Sequence, residues 1–195
     1  MKPTLIFATN NQHKVAEIKH AIGDEFEIIT LKEAGIDIDI PEPHDTLEAN
    51  ATEKSKTIHQ ITHQNCFSED TGLEVDSLFG EPGVKSARYA GDGRNFQDNI
   101  DKLLQNLQGN THRKARFRTV ISLIINEEEY FFEGICEGQI LETKIGTKGF
   151  GYDPVFVPTG SNSSFAEMEM EEKNKFSHRK KAVSKLIQFL NHRNR

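Results

Sequence analysis

Cysteine is almost missing from this chain: Cys66 and Cys136 are the only two in 195 residues. So widely spaced in sequence, they make neither a disulfide set nor a zinc site, and they fit a reduced cytosolic protein. Long apolar runs are missing as well. Leu5-Ile6-Phe7-Ala8 is far too short for a signal-peptide core, and no later stretch is long enough to cross a bilayer. A surplus of positive charge is also lacking. The formal net charge of −6 argues against a coat for a nucleic-acid polymer, which needs a broad basic surface. A single nucleotide is not excluded, because a few clustered lysines make a local positive cleft. With no internal repeat or low-complexity linker, residues 1–195 read as one soluble, globular domain, cytoplasmic, with room for two lobes.

What is present is a mixture of helical and strand periods. Thr4 to Ala8 predicts a strand; Thr9-Asn10-Asn11 then offers N-cap residues to a helix whose stripe is Val15, Ile18 and Ile22, stopped by Gly23. Ile28 to Leu31 predicts a second strand, and Gly35 to Asp45 a loop in which Pro41 and Pro43 bracket Glu42. A helix over Thr46 to His63 carries Leu47, Ala51, Ile58 and Ile61 on one face. A short strand containing Phe67 is expected to end at the acids Glu69 and Asp70. Phe96, Ile100, Leu103, Leu104 and Leu107 fit a helix closed by Gly109. Ala115 to Ile125 alternates, and an acidic turn at Glu127-Glu128-Glu129 leads to Tyr130-Phe131-Phe132, which reads as a hairpin. Further strands are expected over Gln139 to Thr143 and Val155 to Val157, a short helix near Phe165 to Glu172, and a final helix from Ser177. The class is α/β or α+β around a mixed sheet.

Four segments carry chemistry. Ala8-Thr9-Asn10-Asn11-Gln12-His13-Lys14 feeds a strand into a helix, where free N–H groups at the positive end of the dipole suit phosphate and Lys14 can reach the same anion. Lys54 falls on the apolar stripe of its helix; such a lysine usually snorkels to water, and the alternative points its charge at a phosphate. Glu42, stiffened by its prolines, is a candidate carboxylate for a metal. Glu69-Asp70-Thr71-Gly72 sets two acids side by side, as a hard cation such as Mg²⁺ prefers, with Gly72 allowing a sharp turn that would bring both to one ion. Asp70 is the candidate for activating water, Thr71 for a phosphate hydrogen bond and Arg88 for a further anion contact. Finally, Gly149-Phe150-Gly151-Tyr152-Asp153-Pro154, with Lys173, Ser177, His178 and Arg179, joins aromatic, acidic and cationic groups fit to stack on a base and read its edge.

Taken in order, these segments resemble the inosine triphosphate pyrophosphatase family. The motifs are Ala8 through Lys14, Thr46-Leu47-Glu48-Ala49-Asn50-Ala51, Glu69 through Asp76, Pro82 through Gly91, Gly149 through Pro154 and Glu171 through Arg179. The resemblance implies an elongated mixed β-sheet flanked by helices, with two lobes, a central cleft and a homodimer. It implies Mg²⁺-dependent hydrolysis of inosine, deoxyinosine or xanthosine triphosphate to the monophosphate and pyrophosphate. Carried onto this chain, Thr9, Asn10, Asn11, Gln12, His13, Lys14, Lys54 and Thr71 would contact the triphosphate. The metal would be held near Glu42, Glu69 and Asp70, with Asp70 as general base. Phe150, Gly151, Tyr152, Asp153, Lys173, His178 and Arg179 would read the base. Many members carry aspartate at the position of Glu69 and a second acid at Ala49.

Overall fold

The computed structural model describes residues 4–193. In chain order the regular elements are β1 (Thr4–Phe7), α1 (Gln12–Ile22), β2 (Glu27–Thr30), α2 (Leu47–Thr62), β3 (Cys66–Val75), β4 (Pro82–Gly83), α3 (Phe96–Asn106), β5 (Lys114–Ile125), β6 (Glu128–Ile140), β7 (Phe156–Pro158), α4 (Met170–Lys173) and α5 (His178–Arg193). Strand order is β2-β1-β3-β5-β6-β7, with β4 on β3. β1 runs parallel to β2 and β3, whereas β3 with β4 and β6 with β7 are antiparallel, so the sheet is mixed as expected. No helix among the described residues is long and apolar enough to cross a membrane.

The chain divides into two compact units, and three strands contribute to both. Among the described residues, the first unit comprises 4–70, 119–134 and 179–193. Its sheet is buried on both faces, and the period of two sorts the side chains. Leu5, Phe7, Phe67, Ile121 and Leu123 pack with Val15, Ile18 and Ile22 of α1 and Val183, Leu186 and Leu190 of α5. The alternate residues Ile6, Cys66 and Ile124 pack with Ile58 of α2 and with Leu31 and Ile40 of the long loop. The second unit comprises 71–118 and 135–178, and its core gathers Leu73, Val75, Ile100, Leu103, Phe117, Phe156 and Phe165.

Local signals account for most boundaries. Asn11 caps α1, its side chain accepting from His13 N and Lys14 N, and Gly23 ends it at φ 59°. Thr46 caps α2 and His63 closes it in the left-handed region. The β5–β6 turn is two residues, Asn126 and Glu127, both at positive φ, the geometry that matches strand twist. β6 runs unbroken to Ile140, longer than the pattern suggests, and the expected helix near Phe165 splits into a 3₁₀ turn, Phe165–Glu167, and α4.

The expectation for the end of β3 fails. β3 does not end at the acids; it continues straight through Glu69, Asp70 and Gly72 to Val75. Gly72 makes no turn. It pairs beside β4, and a Cβ on it would lie 2.7 Å from the Gly83 carbonyl oxygen, so glycine is needed for close backbone approach. Gly72→Ala should therefore cost about 1–3 kcal/mol by forcing β4 away. Thermal unfolding checks this: an unchanged melting temperature would show that the Gly83 backbone yields freely.

Candidate active site

Because β3 is straight, its consecutive acids face opposite ways. Glu69, like Phe67, points to the side of α1 and α5. Its carboxylate receives Lys14 Nζ at 2.8 Å and Arg179 Nε at 3.2 Å. Arg179 also pairs with Glu17, a buried carboxylate three residues after Lys14. Asp70 points toward α2, where Lys54 Nζ lies 3.3 Å from its Oδ1, 2.5 Å from Glu42 Oε1 and 2.8 Å from the Glu69 carbonyl oxygen. Lys54 therefore does not snorkel: it is 6% exposed and bonded to three oxygens from two segments. Asn50 secures the loop that carries Glu42, accepting from His44 N and donating to His44 O.

Electrostatics follow from burial. Desolvation pushes the Asp70 carboxyl above its ordinary 3.8, Lys54 and Lys14 pull it back, and Glu42 and Glu69 push it up again. Burial opposes the charge of Lys54, but Asp70, Glu42 and Glu69 together hold its ammonium above the usual 10.5. Burial likewise opposes Arg179, and Glu69 and Glu17 more than restore its charge. Among the described residues, three cations (Lys14, Lys54, Arg179) meet four carboxylates (Glu17, Glu42, Glu69, Asp70), and these seven groups sum to −1 when all are ionised. Asp70 Oδ2 is buried with no hydrogen-bond partner among the described residues. Among those residues no group of three or more His, Cys, Asp and Glu is arranged to hold a metal. A magnesium ion, however, usually takes only one or two carboxylates and keeps its waters. The excess negative charge and the open Asp70 oxygen, with Glu42 on the same ammonium, fit that requirement.

The start of α1 differs from the expected row of free N–H groups. The Asn11 carboxamide takes two of them, His13 N and Lys14 N, and Thr9 Oγ1 takes Asn11 N. The Asn10 side chain donates to Ile38 O at 2.7 Å, and Gln12 and His13 are exposed. A well-capped terminus uses the donors that an anion would otherwise find.

The second unit holds the other cluster. Asp153 Oδ2 accepts from Phe150 N at 2.9 Å and from Lys173 Nζ at 2.6 Å, which braces the glycine loop. Gly149 is required there: φ is +71°, and a Cβ would lie 2.0 Å from that same oxygen. Lys173 Nζ sits 5.6 Å from the centre of the half-buried Phe150 ring and 5.1 Å from that of Phe165. Tyr152 is buried, its hydroxyl donating to Ser86 O at 2.7 Å, and burial pushes that hydroxyl up. The His178 ring stacks on Phe117 at 4.6 Å. Thr71 and Arg88 are half-buried in this unit, and Gly151 adopts φ +60°.

Thus Lys14, Lys54, Glu42, Glu69 and Asp70 form one network that also holds Arg179, expected among the base-reading residues. Phe150, Tyr152, Asp153, Lys173 and His178 lie in the other unit. Glu17 escapes a sequence reading, although an acid on the Lys14–Ile18–Ala21 side of a buried helix is the same signal that marks Lys54. Cys66, its thiol pushed up to about 12 by burial, is no nucleophile.

A family model described as the Ham1 family matches residues 5–189. A dITP/XTP pyrophosphatase of Porphyromonas gingivalis is 52% identical over 187 residues, covering 95% of this chain and 96% of that protein. One from Christiangramia forsetii is 50% identical over 186 residues, covering 95% and 98%. Among solved structures, the Staphylococcus aureus Ham1 protein superposes with TM-score 0.88 at 37% identity, covering 98% of this chain and 100% of that one.

The raised Asp70 value sets a stability test. A carboxyl that holds its proton more tightly in the fold costs stability while ionised, at pH above its folded value. That cost disappears as pH falls through the folded value toward 3.8. Asp70→Asn should therefore melt higher than the parent at neutral pH, with the gap closing in acid. A lower melting temperature for Asp70→Asn at neutral pH would contradict this.

Proposed function

The chain belongs to the Ham1 family, and from that membership we propose that it hydrolyses deoxyinosine, inosine and xanthosine triphosphates to the monophosphate and pyrophosphate. It is an enzyme, a nucleoside-triphosphate hydrolase, as are the dITP/XTP pyrophosphatases to which it is about half identical along 95% of its length. Such an activity removes non-standard purines before they enter DNA or RNA. A cytoplasmic location, alongside the soluble nucleotides, goes with that activity as part of the proposal.

The observation that carries the chemistry is Asp70: buried, its carboxyl pushed up from its ordinary value by desolvation, held by Lys54 at one oxygen and with no hydrogen-bond partner among the described residues at the other. A base works best when its pKa approaches the working pH, and burial moves Asp70 that way. Asp70 accepts the proton of the water that attacks the α-phosphorus, and the bond to the bridging oxygen of pyrophosphate breaks. Lys14 and Lys54 supply positive charge against the negative charge gathering on the leaving group. Asp70 and Glu42 would hold Mg²⁺, with Glu69 adding charge behind them; when bound, the ion polarises phosphate oxygens and acidifies water. Glu69 is occupied by Lys14 and Arg179, which suits it to orient those cations.

In the second unit, Phe150 offers a ring for base stacking, kept in place by Asp153 through its backbone N–H. His178 and Lys173 provide donors that match the O6 acceptor of hypoxanthine or xanthine and mismatch the amino group of adenine. A mispaired buried donor costs about 1–3 kcal/mol, so one such clash gives roughly tenfold discrimination or more. The family resemblance also supports a homodimer, which light scattering would test.

Pyrophosphate release from a panel of triphosphates decides the reading. Deoxyinosine, inosine and xanthosine triphosphates should turn over far faster than ATP and GTP, and a chelator should stop the reaction. Asp70→Asn should lose roughly 10²–10⁴-fold in kcat, the range of general-base catalysis, while still binding nucleotide. Equal rates on ATP, or full turnover by Asp70→Asn, would overturn the assignment.

A further inference from the structure

Glu129 has no part in the chemistry above, yet it gathers an unusual set of bonds. Its Oε1 accepts from Thr52 Oγ1 at 2.6 Å and from Ser122 Oγ at 2.8 Å, and its Oε2 lies 3.4 Å from Lys56 Nζ. Ser122 Oγ is in turn 2.6 Å from Ser55 Oγ, and both serines are fully buried. A carboxylate only accepts, so Ser122 gives its proton to Glu129, and the Ser55 hydroxyl, 2.6 Å from Ser122 Oγ and 3.1 Å from Thr52 O, shares its own proton between those two oxygens. Three residues of α2, Thr52, Ser55 and Lys56, are thereby tied to the first inward position of β6.

The buried face of α2 explains why such a tie matters. It consists of Leu47, Asn50, Ala51, Lys54, Ser55 and Ile58, with only two large apolar side chains among them. Packing alone leaves the roll of this helix about its axis weakly specified, so hydrogen bonds must set it. At about 100° per residue, Ser55 lies at one edge of the buried face with Thr52 just beyond it, Asn50 lies at the other edge, and Lys54 lies between them, so a tie through Ser55 and Thr52 sets the roll that carries Lys54. A roll of about 10° carries an ammonium some 7 Å from the axis through roughly 1 Å. A misplacement of that size near reacting groups can cost about a hundredfold.

We infer that Glu129 is a positioning residue: through Thr52, Ser122 and Ser55 it fixes the roll of α2 and so holds the Lys54 ammonium on Glu42 and Asp70. The inference rests on the proposed reaction for its kinetic readout and on Lys54 itself for an independent one. Glu129→Leu removes the acceptors. It should lower kcat for deoxyinosine triphosphate by roughly tenfold, with KM changed by no more than about twofold, since a displaced Lys54 disturbs the reacting groups more than ground-state binding. Glu129→Gln retains an accepting oxygen for Thr52 and Ser122 and should recover most of that kcat. Independently of activity, the nitrogen-15 signal of the Lys54 ammonium, assigned with Lys54→Met, should shift or broaden in Glu129→Leu and stay in place in Glu129→Gln. If Glu129→Leu folds poorly, Thr52→Val is the milder variant and should move the same signal in the same direction. An unmoved Lys54 signal in folded Glu129→Leu or Thr52→Val, or equal damage from Gln and Leu, would overturn the inference. A parent enzyme inactive on every triphosphate would instead sink the proposed reaction, leaving the Lys54 signal to test the role of Glu129.

Discussion

Everything in the first unit turns on how four carboxylates are kept ionised inside a protein. Glu17, Glu69 and Asp70 are at least 95% buried, and Glu42 is half-buried. An isolated charge in such surroundings gives up its charge before it tolerates burial. The fold answers by sending one cation from each of three helices to these acids: Lys14 from α1, Lys54 from α2 and Arg179 from α5. Removing one of the three cations would leave a buried carboxylate without its partner, a loss that commonly costs roughly 3–5 kcal/mol, so these contacts fix the helices as firmly as they serve chemistry.

The alternation of β3 distributes that work. Had the strand turned at Gly72, both acids could have met a single ion. Kept straight, it gives Glu69 to the cations of α1 and α5 and Asp70 to Lys54 on α2. Glu69 is well satisfied by two cations and becomes a fixed anchor. Asp70 keeps one oxygen without a described partner and a raised affinity for protons. Two adjacent residues of the same chemical type thus acquire different roles from strand geometry alone.

This also explains what the amino-acid pattern made legible. Helices and strands with clear periods and caps, such as α1 between Asn11 and Gly23, could be read to within a residue. Lys54 stood out because a charge on an apolar stripe is anomalous, and the structure bears out the anomaly. The partners were not legible. That Lys54 meets Glu42, twelve residues before it, depends on a long loop whose path has no periodic signal. Arg179 pairs across 162 positions with Glu17, a contact that only the tertiary fold creates. Gly72 showed that glycine was needed but not why, since a turn and a close backbone neighbour leave the same mark in sequence. Tyr152 and Asp153 were recognised as special within their motif, but a sequence cannot tell a side chain that faces a ligand from one that braces the loop beneath it.

The two clusters solve opposite problems, and their charge balance shows it. In the second unit Lys173 neutralises Asp153, Tyr152 satisfies a backbone carbonyl and His178 lies flat on Phe117. These internal partners brace the loop, which would suit the proposed discrimination, because a donor can reject a wrong base only if it cannot move to suit it. In the first unit the seven side chains from Lys14, Glu17, Glu42, Lys54, Glu69, Asp70 and Arg179 sum to −1 when ionised, and one Asp70 oxygen has no hydrogen-bond partner among the described residues. Such a cluster does not attract a triphosphate unaided; a divalent cation would turn its net charge from −1 to +1 and make the same residues attractive to phosphate. On the proposed reaction, cation binding and phosphate binding would be coupled by charge, the acids favouring the ion and the ion's second charge favouring the phosphate.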